Sequence, residues 1–93
     1  RGPRADHATY WLGEAQFVQQ QYEAALKSFQ AVGAFAESRR LPDAMYKAGL
    51  CQYELKAFKN ARATLNKVIS TYPDADAARL AQAQIEKLNA EGR

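Results

Sequence analysis

One stretch of this sequence is written twice: Tyr10-Trp11-Leu12-Gly13-Glu14-Ala15-Gln16-Phe17 returns 36 residues later as Tyr46-Lys47-Ala48-Gly49-Leu50-Cys51-Gln52-Tyr53. The correspondence continues at the same offset, with Tyr22 on Phe58, Ala25 on Ala61, Phe29 on Leu65 and Val32 on Val68. A period of about 20–50 residues is typical of proteins that stack one structural unit. The sequence therefore predicts a fold built from two copies of such a unit.

The composition is that of an ordinary soluble domain. The chain has 93 residues, of which 47% are hydrophobic and 25% are charged, and no run approaches the roughly 18 apolar residues of a membrane span. The net charge of +3 comes from scattered residues whose only tight cluster is Arg39-Arg40, which favours a solvated surface over a nucleic-acid site. The opening Arg1-Gly2-Pro3-Arg4 leads us to expect a fragment of a longer protein.

The spacing of apolar residues predicts a first hairpin of two helices. The first helix runs from Asp6, its expected N-cap, to Gln19, and its apolar positions are Ala8, Leu12 and Ala15, flanked by Trp11 and Val18. The second helix runs from Tyr22 to Ala36 and buries Ala25, Phe29, Val32 and Ala36. Gly33 is a weak point in it, since interior glycine costs about 1 kcal/mol relative to alanine.

Three more helices follow, and no strand is predicted. The third opens at Pro42 and carries Ala44, Ala48, Cys51 and Leu55 on one face. The fourth buries Ala61, Leu65, Val68 and Tyr72, and Pro73 stops it. The fifth, capped by Asp74 or Asp76, buries Ala77, Ala81, Ile85 and Leu88, while residues 89–93 are expected to fray. Short turns within pairs predict an all-α solenoid of antiparallel helix hairpins.

The spacing resembles that of the tetratricopeptide repeat. The matching residues are Leu12, Gly13, Tyr22, Ala25 and Phe29 in one unit and Ala48, Gly49, Phe58, Ala61, Leu65 and Pro73 in the other. The resemblance implies a single domain with repeats at 6–36 and 42–72 and a capping helix at 74–90. It also implies that Gly13 meets Ala25, and Gly49 meets Ala61, where two helices approach closely. The usual turn glycine is replaced by Gln20 and Lys56.

A narrower resemblance is to the C-terminal repeat domain of the Tol–Pal system periplasmic proteins, the YbgF or CpoB family. It is carried by Tyr10–Glu14, by Pro42–Lys47, and by Tyr72-Pro73-Asp74 before an Ala/Gln-rich helix. The resemblance implies a periplasmic adaptor that binds TolA and coordinates envelope constriction with peptidoglycan synthesis during cell division. It also implies a further repeat and a coiled coil upstream. Without them the first helix would expose a face meant for a neighbour, so the sequence leaves open whether the chain forms a homo-oligomer.

The residues needed for common enzyme chemistry are missing from the pattern. His7 and Cys51 are the only histidine and the only cysteine, so no triad and no zinc-ligand spacing can be formed from them. The isolated glycines make no phosphate-binding loop. We predict no catalytic residue, no metal and no cofactor, with Cys51 as a packed small residue and His7 exposed in the first turn.

The predicted site is therefore a groove lined by the first helix of each hairpin. Its residues are Tyr10, Glu14, Phe17, Tyr46, Lys47, Leu50 and Tyr53, with Arg79 from the fifth helix. Tyr10 and Tyr46 are predicted to be exposed, and Trp11 to cover its own hairpin. Phe17 and Tyr53 either bind a partner or pack between neighbouring first helices. Aromatic side chains suit binding because they bury a large area with little entropy loss.

Three other functions remain open at this stage. One is a scaffold in outer-membrane protein or lipoprotein assembly, which also binds proteins. Another is an RNA-binding helical repeat, against which Glu14, Glu54 and Glu86 count because they would repel phosphate, so no nucleic acid is expected. The last is a pure oligomerisation module.

Overall fold

The computed structural model describes residues 4–93, and within that range the secondary structure is helical with no strand. Five α-helices follow one another: α1 Ala5–Val18, α2 Tyr22–Ala31, α3 Leu41–Glu54, α4 Phe58–Thr71 and α5 Asp76–Ala90. A short 3₁₀-helix, Val32–Ala34, continues α2. The prediction of an all-α fold with five helices is confirmed.

Each helix packs against the next one along the chain, and α3 also contacts α5. The molecule measures 43 × 30 × 16 Å. Its shortest dimension suits two layers of helices, because packed helix axes lie about 8–10 Å apart. One layer holds α1, α3 and α5, and the other holds α2 and α4, as expected for stacked hairpins.

Two clusters of buried side chains hold the layers together. The first cluster joins α1, α2 and α3 through Tyr10, Ala25, Phe29, Val32, Ala44, Ala48 and Cys51. The second joins α4 and α5 through Leu65, Val68, Ala77, Ala81, Ile85 and Leu88. Phe29 and Leu65, which match at the repeat offset, are both almost completely buried, so the repeated apolar positions do form the core.

Gly13 and Gly49 make room for these two large side chains. A Cβ atom at Gly13 would lie 2.8 Å from Phe29 Cε1, and one at Gly49 would lie 2.8 Å from Leu65 Cδ2. Contacts that short do not occur between real side chains. The nearest atoms thus belong to Phe29 and Leu65 rather than to the alanines that the sequence led us to expect opposite each glycine.

The turns within both hairpins have the same left-handed residue. Gln20 has φ 63° and Lys56 has φ 64°. Around Gln20, the amide of Gln20 donates to Phe17 O and that of Gln21 donates to Gln16 O, and the same pair of bonds recurs around Lys56. This is the Schellman arrangement, in which glycine usually takes the left-handed position.

Several helix ends differ from the sequence prediction. The α-helical part of α2 stops at Ala31 and tightens into the 3₁₀-helix that contains Gly33, so Ala36 is exposed rather than buried. Arg4 and Ala75, not aspartates, occupy the N-cap positions of α1 and α5. Leu55 is 37% exposed rather than buried, and Tyr72 lies just beyond α4, half-buried.

The C-terminal residues are packed rather than frayed. Gly92, with φ 73°, closes α5 with the same turn found after α1 and α3. Arg62 of α4 donates hydrogen bonds to Asn89 Oδ1, at 2.8 Å, and to the backbone oxygen of Arg93. The guanidinium of Arg93 lies 4.1 Å from the centre of the Phe58 ring. The expectation that residues 89–93 fray is therefore wrong.

The largest departure concerns α1. The residues predicted to face the core, Ala8, Leu12 and Ala15, are all exposed, as are Trp11 and Val18. The side of α1 that does pack inward carries Tyr10, Gly13 and Phe17. Both sets have helical spacing, so periodicity alone could not tell which face of this helix meets α2.

Candidate functional site

Contacts between side chains show that α1, α3 and α5 lie side by side. Lys47 Nζ of α3 lies 3.2 Å from Glu14 Oε1 of α1, and Tyr53 of α3 bonds to Glu91 at the end of α5. We call the outward-facing side of this layer the first-helix surface. It contains most of the side chains predicted to bind a partner.

Three of the predicted residues form one small cluster on this surface. Lys47 forms an ion pair with Glu14, and its ammonium also lies 5.8 Å from the centre of the Phe17 ring. The Phe17 ring meets the Tyr22 ring edge-on, with centres 5.2 Å apart. Glu14 and Lys47 therefore neutralise each other, and Lys47 and Tyr22 flank the half-buried Phe17 ring.

A second cluster repeats this arrangement around Tyr53. Its ring meets that of Phe58 edge-on at 5.6 Å, and the ammonium of Lys87 lies 5.3 Å from its centre. The hydroxyl of Tyr53 donates to Glu91 Oε1 at 2.7 Å. That hydrogen bond is the largest cause of a raised Tyr53 pKa, followed by burial. Both rings thus contact the second helix of their own hairpin and also a neighbouring first-layer helix, since Lys47 of α3 lies over Phe17 and Tyr53 contacts Lys87 and Glu91 at the end of α5.

Tyr46 and Leu50 lie on α3 between these two clusters, and both are half-buried. Tyr46 packs against the second core cluster, and burial raises the pKa of its hydroxyl. Together with Phe17 and Tyr53 they are the half-buried aromatic and aliphatic side chains among the predicted binding residues.

Tyr10 and Trp11 have exchanged their predicted roles. Tyr10 is 5% exposed, and its ring lies edge-on to that of Phe29 at 5.5 Å. Burial raises the pKa of Tyr10 to about 12, with Glu14 and Asp43 adding to the effect. Trp11 is 54% exposed, because the next residue on a helix points about 100° away. The three-residue step from Tyr10 to Gly13 was the signal that could have shown this.

Arg79 is not brought together with the other predicted groove residues. Its guanidinium lies 2.6 Å from Asp76 Oδ1, one turn earlier on α5, and both side chains are well exposed. Such an exposed pair contributes little to stability. Arg79 remains available on the surface of α5.

A polar network that no sequence pattern indicated joins the connector before α3 to the start of α1. Ser38 Oγ donates to Asp6 Oδ2 at 2.5 Å and accepts from the backbone amide of Arg40 at 3.0 Å. The first of these bonds is the largest cause of a lowered Asp6 pKa. Arg40 Nε donates to His7 Nδ1 at 3.1 Å. His7 is therefore half-buried and bonded rather than freely exposed.

Residue types that could support chemistry are few in the described range. Cys51 is fully buried in the first core cluster, and burial raises its pKa to about 12, so the prediction of a packed residue is confirmed. Residues 4–93 contain no group of three or more His, Cys, Asp or Glu side chains placed to hold a metal. No helix in that range combines the length and apolar character needed to cross a membrane.

The interior also contains a partly open cavity of about 250 Å³ between α2, α3 and α4. Its walls include Phe29, Leu41, Ala44, Met45 and Ala48, and Gly33 lies at its edge. Gly33 matches Ile69 at the repeat offset, and Ile69 packs against the second core cluster. The cavity is thus a space that a branched side chain helps to fill in the second repeat.

Two family models match the sequence, and both describe a tetratricopeptide repeat, one over residues 1–38 and the other over residues 43–75. No curated protein matches the chain. The two matches together span most of the sequence, and the five helices form the stacked hairpins that such repeats make. The chain therefore belongs to the tetratricopeptide-repeat family.

Proposed function

We propose that this chain is a non-enzymatic interaction module that binds a peptide segment or helix of a partner protein on its first-helix surface. Its family membership supports a role in protein–protein interaction. The choice of surface rests on one observation, the half-buried row of Phe17, Tyr46, Leu50 and Tyr53 along α1 and α3.

The contacts around these side chains favour binding. Tyr22 and Lys47 hold Phe17 in place, and Phe58 and Glu91 hold Tyr53. Side chains that are already ordered lose little entropy when a partner covers them. Because Glu14 and Lys47 satisfy each other, the middle of the surface offers apolar contact rather than a charged clamp, which suits an extended peptide or an amphipathic helix.

We further propose that the partner belongs to the Tol–Pal system of the bacterial periplasm and that it is TolA. The module would then act as an adaptor between envelope constriction and peptidoglycan synthesis in cell division. This finer assignment is supported by the resemblance of Tyr10–Glu14, Pro42–Lys47 and Tyr72–Asp74 to that family of periplasmic proteins.

Calorimetric titration of the chain with the purified periplasmic part of TolA tests both levels of this proposal. Replacing Tyr46 and Tyr53 together by alanine should abolish binding. Both rings also pack on the core, so helicity and melting are measured in parallel, and Leu50→Glu provides a second variant with less loss of packing. Lys59→Glu, on the exposed side of α4, is the control that should bind normally.

Different results would contradict the choice of binding surface and the Tol–Pal assignment. If the double alanine variant of Tyr46 and Tyr53 and the Leu50→Glu variant both keep full affinity for TolA, the binding surface lies elsewhere. If TolA does not bind while another periplasmic protein binds through Tyr46 and Tyr53, the Tol–Pal assignment fails and the interaction module stands. Micromolar binding of single-stranded RNA that weakens steeply with salt would instead favour the RNA-binding alternative.

A further inference from the structure

The cavity between α2, α3 and α4 has an apolar interior. Its most buried lining residues, which form its floor, are Phe29, Ala44 and Ala48, at 1%, 3% and 5% exposure. Leu41 and Met45, both half-buried, form its walls. Water gains few hydrogen bonds against such side chains, whereas an apolar molecule loses nothing there. The interior of the cavity therefore suits the apolar part of a ligand.

The mouth of the same cavity is polar and positively charged. Gln30 of α2 and Thr64 and Lys67 of α4 lie there, and their side chains have no hydrogen-bond or ion-pair partner in the described range 4–93. An amide, a hydroxyl and an ammonium all donate hydrogen bonds. Of the described residues that line the cavity, only Lys67 carries a charge. The mouth thus offers a carboxylate three free donors, one of them charged.

The helices beside the mouth add to the positive charge. The sequence of α4 has three basic residues and no acidic one, and α2 has no acidic residue after Glu23. Lys27 lies three residues before Gln30 and therefore on the same side of α2. An anionic group is attracted to this mouth, and a cationic one is repelled.

We propose that this cavity is a binding site for a small aryl carboxylic acid, whose ring enters between the hairpins and whose carboxylate stays at the mouth beside Lys67. A ring is favoured because the Phe29 ring and the Met45 thioether both make favourable contacts with aromatic groups. A cavity of about 150 Å³ can hold benzene. The volume of about 250 Å³ found here therefore leaves room for a ring with a short side chain.

This site is separate from the first-helix surface. Its mouth is formed by α2 and α4, which make up the layer opposite α1, α3 and α5. A bound acid would contact Phe29 and Gln30 of the first hairpin and Met45 and Thr64 of the second. Because the acid touches both hairpins, it stabilises their junction, and its binding can be measured with no protein partner present.

One methyl group reports on the cavity. Met45 is the only methionine, so a chain with isotope-labelled methionine gives a single methyl signal in NMR spectra. Phenylpropionate is the probe, phenylpropanamide is its neutral counterpart of the same shape, and phenylpropylamine is the cationic one.

We expect phenylpropionate to shift the Met45 signal saturably, with a Kd of roughly 0.1–1 mM. At low ionic strength the amide should bind about threefold more weakly, and the amine more weakly still. The acid should also raise the melting temperature. A Met45 signal that the acid does not shift saturably, or that acid and amide shift with equal affinity, would overturn the proposal.

Two pairs of variants locate the bound acid. Lys67→Gln should weaken phenylpropionate binding about threefold and leave the amide unchanged, whereas Lys59→Gln, about two turns earlier on the exposed side of α4, should change neither. Gly33→Ile should block both compounds, because it introduces the side chain that the second repeat has at Ile69. Gly33→Ala, which adds only a methyl group, should keep binding.

Melting of each variant shows whether it is folded, and Ala44→Leu provides a second blocking variant if Gly33→Ile is not. Equal affinity for the acid in Lys67→Gln and Lys59→Gln would show that the Lys67 ammonium does not hold the carboxylate. Full binding in a folded blocking variant would place the compound outside the cavity. Either result would overturn the proposal.

Discussion

At the scale of single residues, the two repeat glycines are required for packing. Alanine in place of Gly13 would gain about 1 kcal/mol of helix propensity, but its Cβ would lie 2.8–3.0 Å from three atoms of the Phe29 ring. That ring is buried edge-on against Tyr10, so moving it away from the new Cβ would disturb this contact, and overpacking costs about 1–3 kcal/mol. We expect Gly13→Ala to lower the free energy of unfolding in urea.

Two matched variants grade this prediction. Gly49→Ala should also lower the free energy of unfolding, because its Cβ would lie 2.8 Å from Cδ2 and 3.0 Å from Cγ of the fully buried Leu65. Gly33→Ala should be neutral or stabilising, since a Cβ there has no atom within 4 Å. A Gly13→Ala protein as stable as Gly33→Ala would mean that Phe29 does not occupy the space beside Gly13.

The left-handed residues of the two hairpin turns predict a gain in stability. A non-glycine residue in this conformation costs about 1–2 kcal/mol, and glycine returns part of that gain through its greater freedom in the unfolded chain. Gln20→Gly and Lys56→Gly should therefore each stabilise the fold by about 0.5–1 kcal/mol, measured by thermal or urea unfolding. Gln19→Gly is the control and should destabilise, because Gln19 has φ −84°. A loss of stability in all three variants would contradict the left-handed turns.

At the scale of helices, the end of α5 is fastened by residues from other elements. Ending the chain after Ala90 removes the Tyr53–Glu91 hydrogen bond and the contact between Arg93 and Phe58. We expect lower melting and faster hydrogen exchange in the last turns of α5. Arg62→Ala, which removes the bonds to Asn89 and Arg93, should have a smaller effect of the same kind. Exchange in the intact chain that is already as fast as in the shortened one would support fraying instead.

At the scale of the whole molecule, buried tyrosine makes stability depend on alkaline pH. The pKa of Tyr10 rises from 10 to about 12 on folding, so between these values the unfolded chain has lost a proton that the folded chain keeps. Stability is therefore complete below pH 10 and falls as pH approaches 12, by up to about 2–3 kcal/mol for this residue at 1.36 kcal/mol per unit.

Urea unfolding at a series of pH values tests this dependence. Tyr10→Phe should have nearly the parent stability at pH 7, because the ring and its contacts remain. Above pH 10 it should lose stability less steeply than the parent chain. Parallel curves for the two proteins would show that Tyr10 ionises as readily in the folded state as in the unfolded one.

The sequence was sufficient to predict the helices and their order, because the same apolar spacing occurs twice. It also placed Glu14, Phe17 and Lys47 near one another on the first-helix surface. It did not separate Tyr10 from Trp11, since both faces of α1 are apolar and only the position of α2 decides between them. The bond between Asp6 and Ser38 and the packing of Arg93 on Phe58 join residues distant in sequence, and local patterns carry no information about them.

The rate at which a thiol reagent modifies the single cysteine can report on the separation of the two hairpins. Cys51 is sealed between α2 and α3, with no exposed surface and a thiol that resists ionisation. A thiol-specific reagent can react with it only when the two hairpins separate. The rate of modification therefore reports on the separation of the hairpins. Any ligand that holds the hairpins together should slow that rate without contacting the sulfur.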